Sequence, residues 1–239
     1  MSVPHPPAHY LDNAHIAPEV FQLRPDYRAL LLVVTGIPAS PSNAASEAFL
    51  SSAESTAKEA LAKTPVNDIP HVAAWRDTYK AFGAKPKKER NSLEALLRRV
   101  DAGLPRVNRL TDIYNAISIK HQIPLGGEDL TRYQSAPFLI RAKGTEKFDT
   151  RSGGDVIVEN PSAGEVVWCD DGGVTCRRWN WRQCSRTALT DATTDVLFIL
   201  DALEPLSDEA LIAAADDLTS ELRKLSSTVK VEQRLLRAT

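Results

Sequence analysis

The chain has no apolar run long enough to cross a bilayer as a helix: the longest, Ala29 to Val34, is six residues against the roughly 20 required. Cysteine is scarce and odd in number, with only Cys169, Cys176 and Cys184. The opening Met1-Ser-Val-Pro-His-Pro-Pro7 is neither basic nor apolar enough for a secretory signal. Free thiols in a reducing cytoplasm are therefore expected. Excess charge is missing too: 29 Lys and Arg against 31 Asp and Glu give a net charge of −2. A polyanion could be attracted only by a local patch. There is no Gly-x-Gly-x-x-Gly, no Gly-Lys-Ser/Thr loop, no Gly-x-Ser-x-Gly elbow and no His-Glu-x-x-His. His5, His9 and His15 lack an accompanying Cys or carboxylate cluster, and Cys169-x6-Cys176-x7-Cys184 is a poor zinc spacing. Neither a metal nor another cofactor is expected.

What is present suits one large α+β domain, since 43% hydrophobic content over 239 residues can build a sizeable core. Residues 1–18, rich in Pro and His, are expected to be irregular, residues 19–225 to form the domain, and residues 226–239 to be a charged tail. Val20–Leu23 and Ala29–Ile37 read as strands, the second buried on both faces because its apolar run is continuous. Helices are expected from the cap at Ser42 or Asn43 to Pro65, from Ile69 to Gly83, from Ser92 to Ala102, over Asn108–Gln122, and from Ser207 to about Leu225. Strands are expected at Phe138–Lys143, Asp155–Glu159, Glu165–Cys169, Val174–Arg178 and Val196–Asp201, with a short helical turn between residues 187 and 195.

Three stretches carry candidate chemistry. Asp170-Asp-Gly-Gly173 joins two strand-like runs as a hairpin turn. Its return strand continues into Arg177-Arg-Trp-Asn-Trp-Arg-Gln183, too polar for a core strand and too aromatic for a solvated one. Read as a strand, it places Arg178, Asn180 and Arg182 on one face and Trp179 and Trp181 on the other. Either the arginines stack on the tryptophans at a sheet edge, or the stretch lines a polar site. The second stretch puts Asn115 inside a helix that closes with Lys120 and His121, followed by a Gly126-Gly127 loop and the acids Glu128 and Asp129. In the third, Lys85, Lys87, Lys88, Arg98, Arg99, Arg106 and Arg109 form a basic zone, either solvated helix ends or a phosphate-binding patch. Cys176, beside Arg177 and Arg178, is a candidate nucleophile, although a small buried strand residue is the commoner role.

Asn108-Arg-Leu-Thr-Asp-Ile-Tyr-Asn-Ala-Ile-Ser-Ile-Lys-His-Gln-Ile-Pro-Leu-Gly-Gly-Glu-Asp-Leu130, followed by Gly164-Glu-Val-Val and Cys176-Arg-Arg-Trp-Asn-Trp-Arg-Gln183, resembles the free-standing B3/B4 domain proteins. These are similar to the editing domain in the β subunit of bacterial phenylalanyl-tRNA synthetase, and the resemblance runs from about Phe21 to Leu222. It implies a central sheet flanked by helices and deacylation of wrongly charged tRNA in trans. Aminoacyl-tRNA is the implied partner, with no membrane, no metal and a monomer rather than an obligate oligomer. Asn115 and Pro124-Leu125 match the synthetase motif. Gly126 falls where the synthetase has an editing histidine, Gly127-Glu128-Asp129 replace Ala-Phe-Asp, and Asp201 falls near its editing glutamate.

The implied catalytic set is Asp191, Asp201, Gly126 and Gly127. The implied substrate set is Asn115, His121, Glu128, Asp129, Arg178, Trp179, Asn180, Trp181, Gln183 and Thr194, and the basic zone would hold tRNA. The free-standing group includes deacylases for canavanyl-tRNA(Arg) and fluorothreonyl-tRNA. A guanidinium-like group needs carboxylate partners, which makes canavanyl-tRNA(Arg) the favoured substrate. Another mischarged tRNA, or a non-catalytic tRNA- or amino-acid-binding module, is the alternative.

Overall fold

The computed structural model describes residues 5–238. Of the segment expected to be irregular, residues 1–4 lie outside the described residues. The rest is ordered into α1 (Pro7–Asp12) and the two-residue strand β1 (His15–Ile16), with Tyr10 and Leu11 in the core. Val20–Leu23 is helical, not extended, within α2 (Pro18–Leu23). Pro18 opens that helix with φ already set for it, and the short apolar run then follows helical geometry. β2 (Arg28–Thr35) is buried along nearly its whole length.

Asn43 caps α3 (Ala44–Leu61) by accepting from the amides of Ala45 and Ser46. α4 (Pro70–Ala81) ends before Gly83, whose φ of 88 suits the left-handed region. α5 is short, Ser92–Leu97, with a 3-10 turn over Val100–Ala102 in place of the longer helix expected. α6 (Arg109–His121) is capped by Asn108, which accepts from the Thr111 amide. The Gly-Gly stretch is then a strand, β3 (Leu125–Asp129), not a loop.

β4 (Phe138–Arg141), β5 (Phe148–Ser152) and β6 (Asp155–Glu159) follow. The hairpin of β7 (Val166–Asp170) and β8 (Gly173–Arg177) turns as expected, with Asp170 opposite Gly173. β9 (Arg182–Gln183) is brief, and residues 187–195 hold turns without the expected helix. β10 (Val196–Ala202) and α7 (Asp208–Arg223, capped by Ser207) complete the expected elements. The charged tail is not outside the domain: β11 (Lys230–Arg237) pairs along all of β2.

The chain is a single α+β domain. One sheet has the order β11-β2-β10-β3 and is antiparallel throughout; a second has the order β1-β4-β7-β8-β9, with β5 and β6 as a separate hairpin. Strand alternation assigns the faces of the first sheet. Leu30, Leu32, Val34, Phe198 and Leu200 pack on α6 and α7. Ala29, Leu31, Val33, Leu197 and Ile199 face the second sheet and its Leu139, Trp168 and Cys176. β2 is therefore buried on both faces, as its unbroken apolar run requires. The unpaired edges β3 and β9 lie near each other, joined by a 3.0 Å hydrogen bond from Gln183 Nε2 to the Gly127 carbonyl. Among the described residues, no helix is long and apolar enough to cross a membrane.

Candidate functional site

Between these two strand edges, beneath α5, lies a cavity of about 290 Å³. That is close to the lower end of small-molecule sites, roughly 300 Å³. Strand phase decides which acids reach it. On β10, Leu197, Ile199 and Asp201 share the inward face, so Asp201 occupies the last place of an apolar stripe and is 3% exposed. On β3, Glu128 lies opposite Leu197 and Gly126 opposite Ile199, which brings both into the wall. Asp129, one residue on, must point the other way.

Both inward carboxylates are held by neutral donors. Asp201 accepts from the Tyr27 hydroxyl at 2.5 Å and from Asn180 Nδ2 at 3.2 Å. Burial pushes its pKa up to about 7, with those hydrogen bonds opposing the rise. Glu128 accepts from the Tyr133 hydroxyl at 2.6 Å and Thr187 Oγ1 at 2.9 Å, and burial raises its pKa as well. Three buried donors of the wall, Ser92 Oγ, Trp168 Nε1 and Trp179 Nε1, have no partner within normal hydrogen-bond distance among the described residues. The two indoles are turned toward Asp201 and the Tyr27 hydroxyl. A buried donor left unmatched costs about 1–3 kcal/mol, so Ser92 Oγ is the group a bound ligand would satisfy.

The Arg-Trp-Asn-Trp stretch is a tight turn, not the alternating strand expected. Arg178 and Trp179 have positive φ, 46 and 68, a conformation that strains residues with a Cβ. The turn is held by Glu165, which takes Arg177 Nε and Nη2 at 2.9 Å each and the Arg178 amide at 3.2 Å. The Trp179 amide donates to the Val166 carbonyl at 2.7 Å. The result puts Trp179, Asn180 and Trp181 on the cavity together, whereas strand alternation would have divided them. Arg178 turns away to Glu89 at 3.1 Å and stacks 4.1 Å from the Trp181 ring.

Of the residues singled out in the sequence, Asn115, Gly126, Glu128, Trp179, Asn180, Trp181, Gln183 and Asp201 line the cavity. The others do not. Asp191 is exposed at a turn. His121 bonds Asp217 at 2.8 Å at the far end of α6. Asp129 is occupied with Thr131 and Thr193. Thr194 donates to its neighbour Asp195. Gly127 faces Phe198 and Leu189 rather than the cavity.

The basic zone is largely spent on structure. Arg106 binds both Glu47 and Glu54, Arg98 joins Arg76 on the buried Glu94, and Arg109 is buried and donates to the Pro38 carbonyl. Lys85, Lys87 and Lys88 stay exposed, and Arg99 reaches the cavity rim. Cys176 is in the wall, but burial holds its thiol well above its ordinary range, which disfavours a thiolate nucleophile. Arg99 is expected from the sequence only as part of the basic zone, and Ser92, Tyr114 and Trp168 are not among the expected site residues. The only sequence signal pointing near them is the Asn91-Ser92 start of α5, which reads as a cap.

The family model described as "B3/4 domain" matches residues 74–226, a span that contains every lining residue from Ser92 to Asp201. The chain belongs to the B3/4 domain family. No curated protein matches the chain. Among solved structures, this B3/4 domain is similar to an N-terminal fragment of the phenylalanyl-tRNA synthetase beta-subunit from Pyrococcus horikoshii, at 9% identity and a TM-score of 0.43. The match covers 93% of this chain and 50% of that one, so the B3/4 domain spans about half of the fragment's length.

Proposed function

We propose that this domain hydrolyses the ester of mischarged aminoacyl-tRNA in trans, and that its favoured substrate is canavanyl-tRNA(Arg). One observation carries the reading: two carboxylates, Asp201 and Glu128, converge on one cavity with only neutral hydrogen-bond partners. A cationic side chain would supply the missing countercharge. A carboxyl titrating near 7 is also matched to accept a proton at neutral pH.

In this scheme Asp201 takes a proton from water as its oxygen attacks the ester carbonyl. The tetrahedral intermediate collapses with cleavage of the bond to the ribose oxygen, which recovers the proton from Asp201. Free amino acid and tRNA leave. Asp201 thereby replaces the histidine that the resemblance would put at Gly126. Ser92 Oγ supplies a donor for the acyl oxygen or for the polar end of the side chain, Trp168 Nε1 faces Asp201, and Glu128 holds the substrate cation. The aromatic lining of Tyr114, Trp168, Trp179 and Trp181 favours a second reading, in which a tyrosyl group is removed instead.

The test is hydrolysis by the purified protein of canavanyl-tRNA(Arg), arginyl-tRNA(Arg) and tyrosyl-tRNA(Phe). Loss of the canavanyl species alone is expected. Loss of the tyrosyl species alone moves the substrate, and hydrolysis of none of the three removes the proposal.

A further inference from the structure

On the far side of Gln183 from the cavity is a second, open cleft of about 680 Å³. Four arginines line it: Arg132, Arg151, Arg182 and Arg186. They are not equally committed. Arg186 grips Asp170 through both terminal nitrogens, at 2.6 and 2.9 Å, and is neutralised. Arg182 donates to Thr150 Oγ1 at 2.6 Å and stands 4.0 Å from Glu159, a carboxylate already held by Arg177 at 3.0 Å. Arg132 and Arg151 are exposed and form no ion pair among the described residues. The one acid on the cleft, Asp129, is buried and occupied by Thr131 and Thr193. The cleft therefore carries net positive charge on a protein whose total is −2.

We infer that this cleft is the phosphate track for the acceptor end of the tRNA, an inference that rests on the proposed function. Gln183 belongs to both walls, so the two spaces adjoin. A chain with its terminal ester in the cavity passes Gln183 and meets arginines at its first backbone phosphates. Guanidinium forks match phosphate oxygens in pairs, which lysine does not do. The cleft also takes over the role expected of residues 85–109, where Arg90, Arg98 and Arg106 are paired with Glu94, Glu47 and Glu54 and Arg109 is held by the Pro38 carbonyl.

The test measures affinity for uncharged tRNA(Arg) against salt concentration, for wild type and for Arg132→Glu/Arg151→Glu. Arg132→Gln/Arg151→Gln serves as a milder second variant. Both positions are exposed and unpaired, so melting temperatures should stay unchanged. Removing two single-strand phosphate contacts lowers the magnitude of the log–log salt slope by about 1.4. We expect that change together with at least tenfold weaker binding for the charge-reversal pair. Wild-type affinity and slope in both variants would overturn the inference. So would loss of affinity on Lys87→Glu/Lys88→Glu with none on the arginine pair. The proposed function fails separately: arginine-dependent tRNA binding without hydrolysis of any aminoacyl-tRNA removes the chemistry and keeps the cleft.

Discussion

Replacing Asp201 with Asn tests whether the cavity holds a carboxyl that keeps its proton to near neutrality. The group titrates at about 7 in the folded chain against 3.8 unfolded. Between those values the folded state binds more protons than the unfolded one, so this group's contribution to stability is full below 3.8 and lost as pH rises through 7. At about 1.4 kcal/mol per unit, the whole effect is on the order of 4 kcal/mol.

Wild-type stability alone conceals it, because buried His71 acts in the opposite direction. Its pKa is lowered from 6.5 to about 4 by burial, so its contribution is present above 6.5 and lost as pH falls to 4. The Asn variant retains His71 and removes only the carboxyl, so the difference between the two proteins isolates Asp201. Urea unfolding from pH 5 to 7 should show Asp201→Asn gaining on wild type by roughly 2 kcal/mol, or about 4–8 °C in melting temperature for a chain of this size. The absolute offset includes the mismatch of an Asn amide against Asn180 Nδ2, which now faces another donor; only the slope is diagnostic. A pH-independent difference would refute the reasoning.

Four further outcomes follow from the geometry. Glu128→Gln keeps the shape and the Tyr133 and Thr187 contacts but removes the charge, so KM for the canavanyl substrate should rise roughly 10- to 100-fold with little change for a neutral aminoacyl group. Gly127→Ala puts a Cβ 2.8 Å from Phe198 Cε1 and should lower stability by about 1–3 kcal/mol in urea. Gly126→Ala should be milder, since its Cβ meets only the end of the Gln183 side chain at 3.0 Å. Deleting residues 227–239 strips β11 from β2 and leaves an apolar strand edge bare, so soluble yield should collapse; an unchanged yield would show that the tail is dispensable.

Local signals in the sequence were legible wherever neighbouring residues decide the outcome. Asn43, Asn108 and Ser207 cap the helices expected to start there, Asp155–Glu159 is the strand expected, and Asp170–Gly173 turns the hairpin. Tertiary contacts decided the rest. The Gly126-Gly127 pair reads as a loop because glycine disfavours strands, yet β3 needs glycine for close contact with Phe198 and Gln183. Arg178 and Trp179 look like strand residues and are bent into the left-handed region by Glu165, thirteen and fourteen positions away. The basic zone could not announce that Glu47 and Glu54 would reach across to Arg106. Asp191 and Asp201 are equally acidic in one dimension; only Asp201 stands on an apolar strand stripe, a signal that was present in Val196–Ala202. The tail's charge concealed its pairing because β11 is an edge strand with one face in water.

The most direct test of the central claim is the pH dependence of single-turnover deacylation of canavanyl-tRNA(Arg). If Asp201 is the base, the rate should rise with pH and level off above about 7, and Asp201→Asn should lose roughly 10²–10⁴ of it at pH 7.5. A variant as fast as wild type, with the same pH profile, would contradict the account.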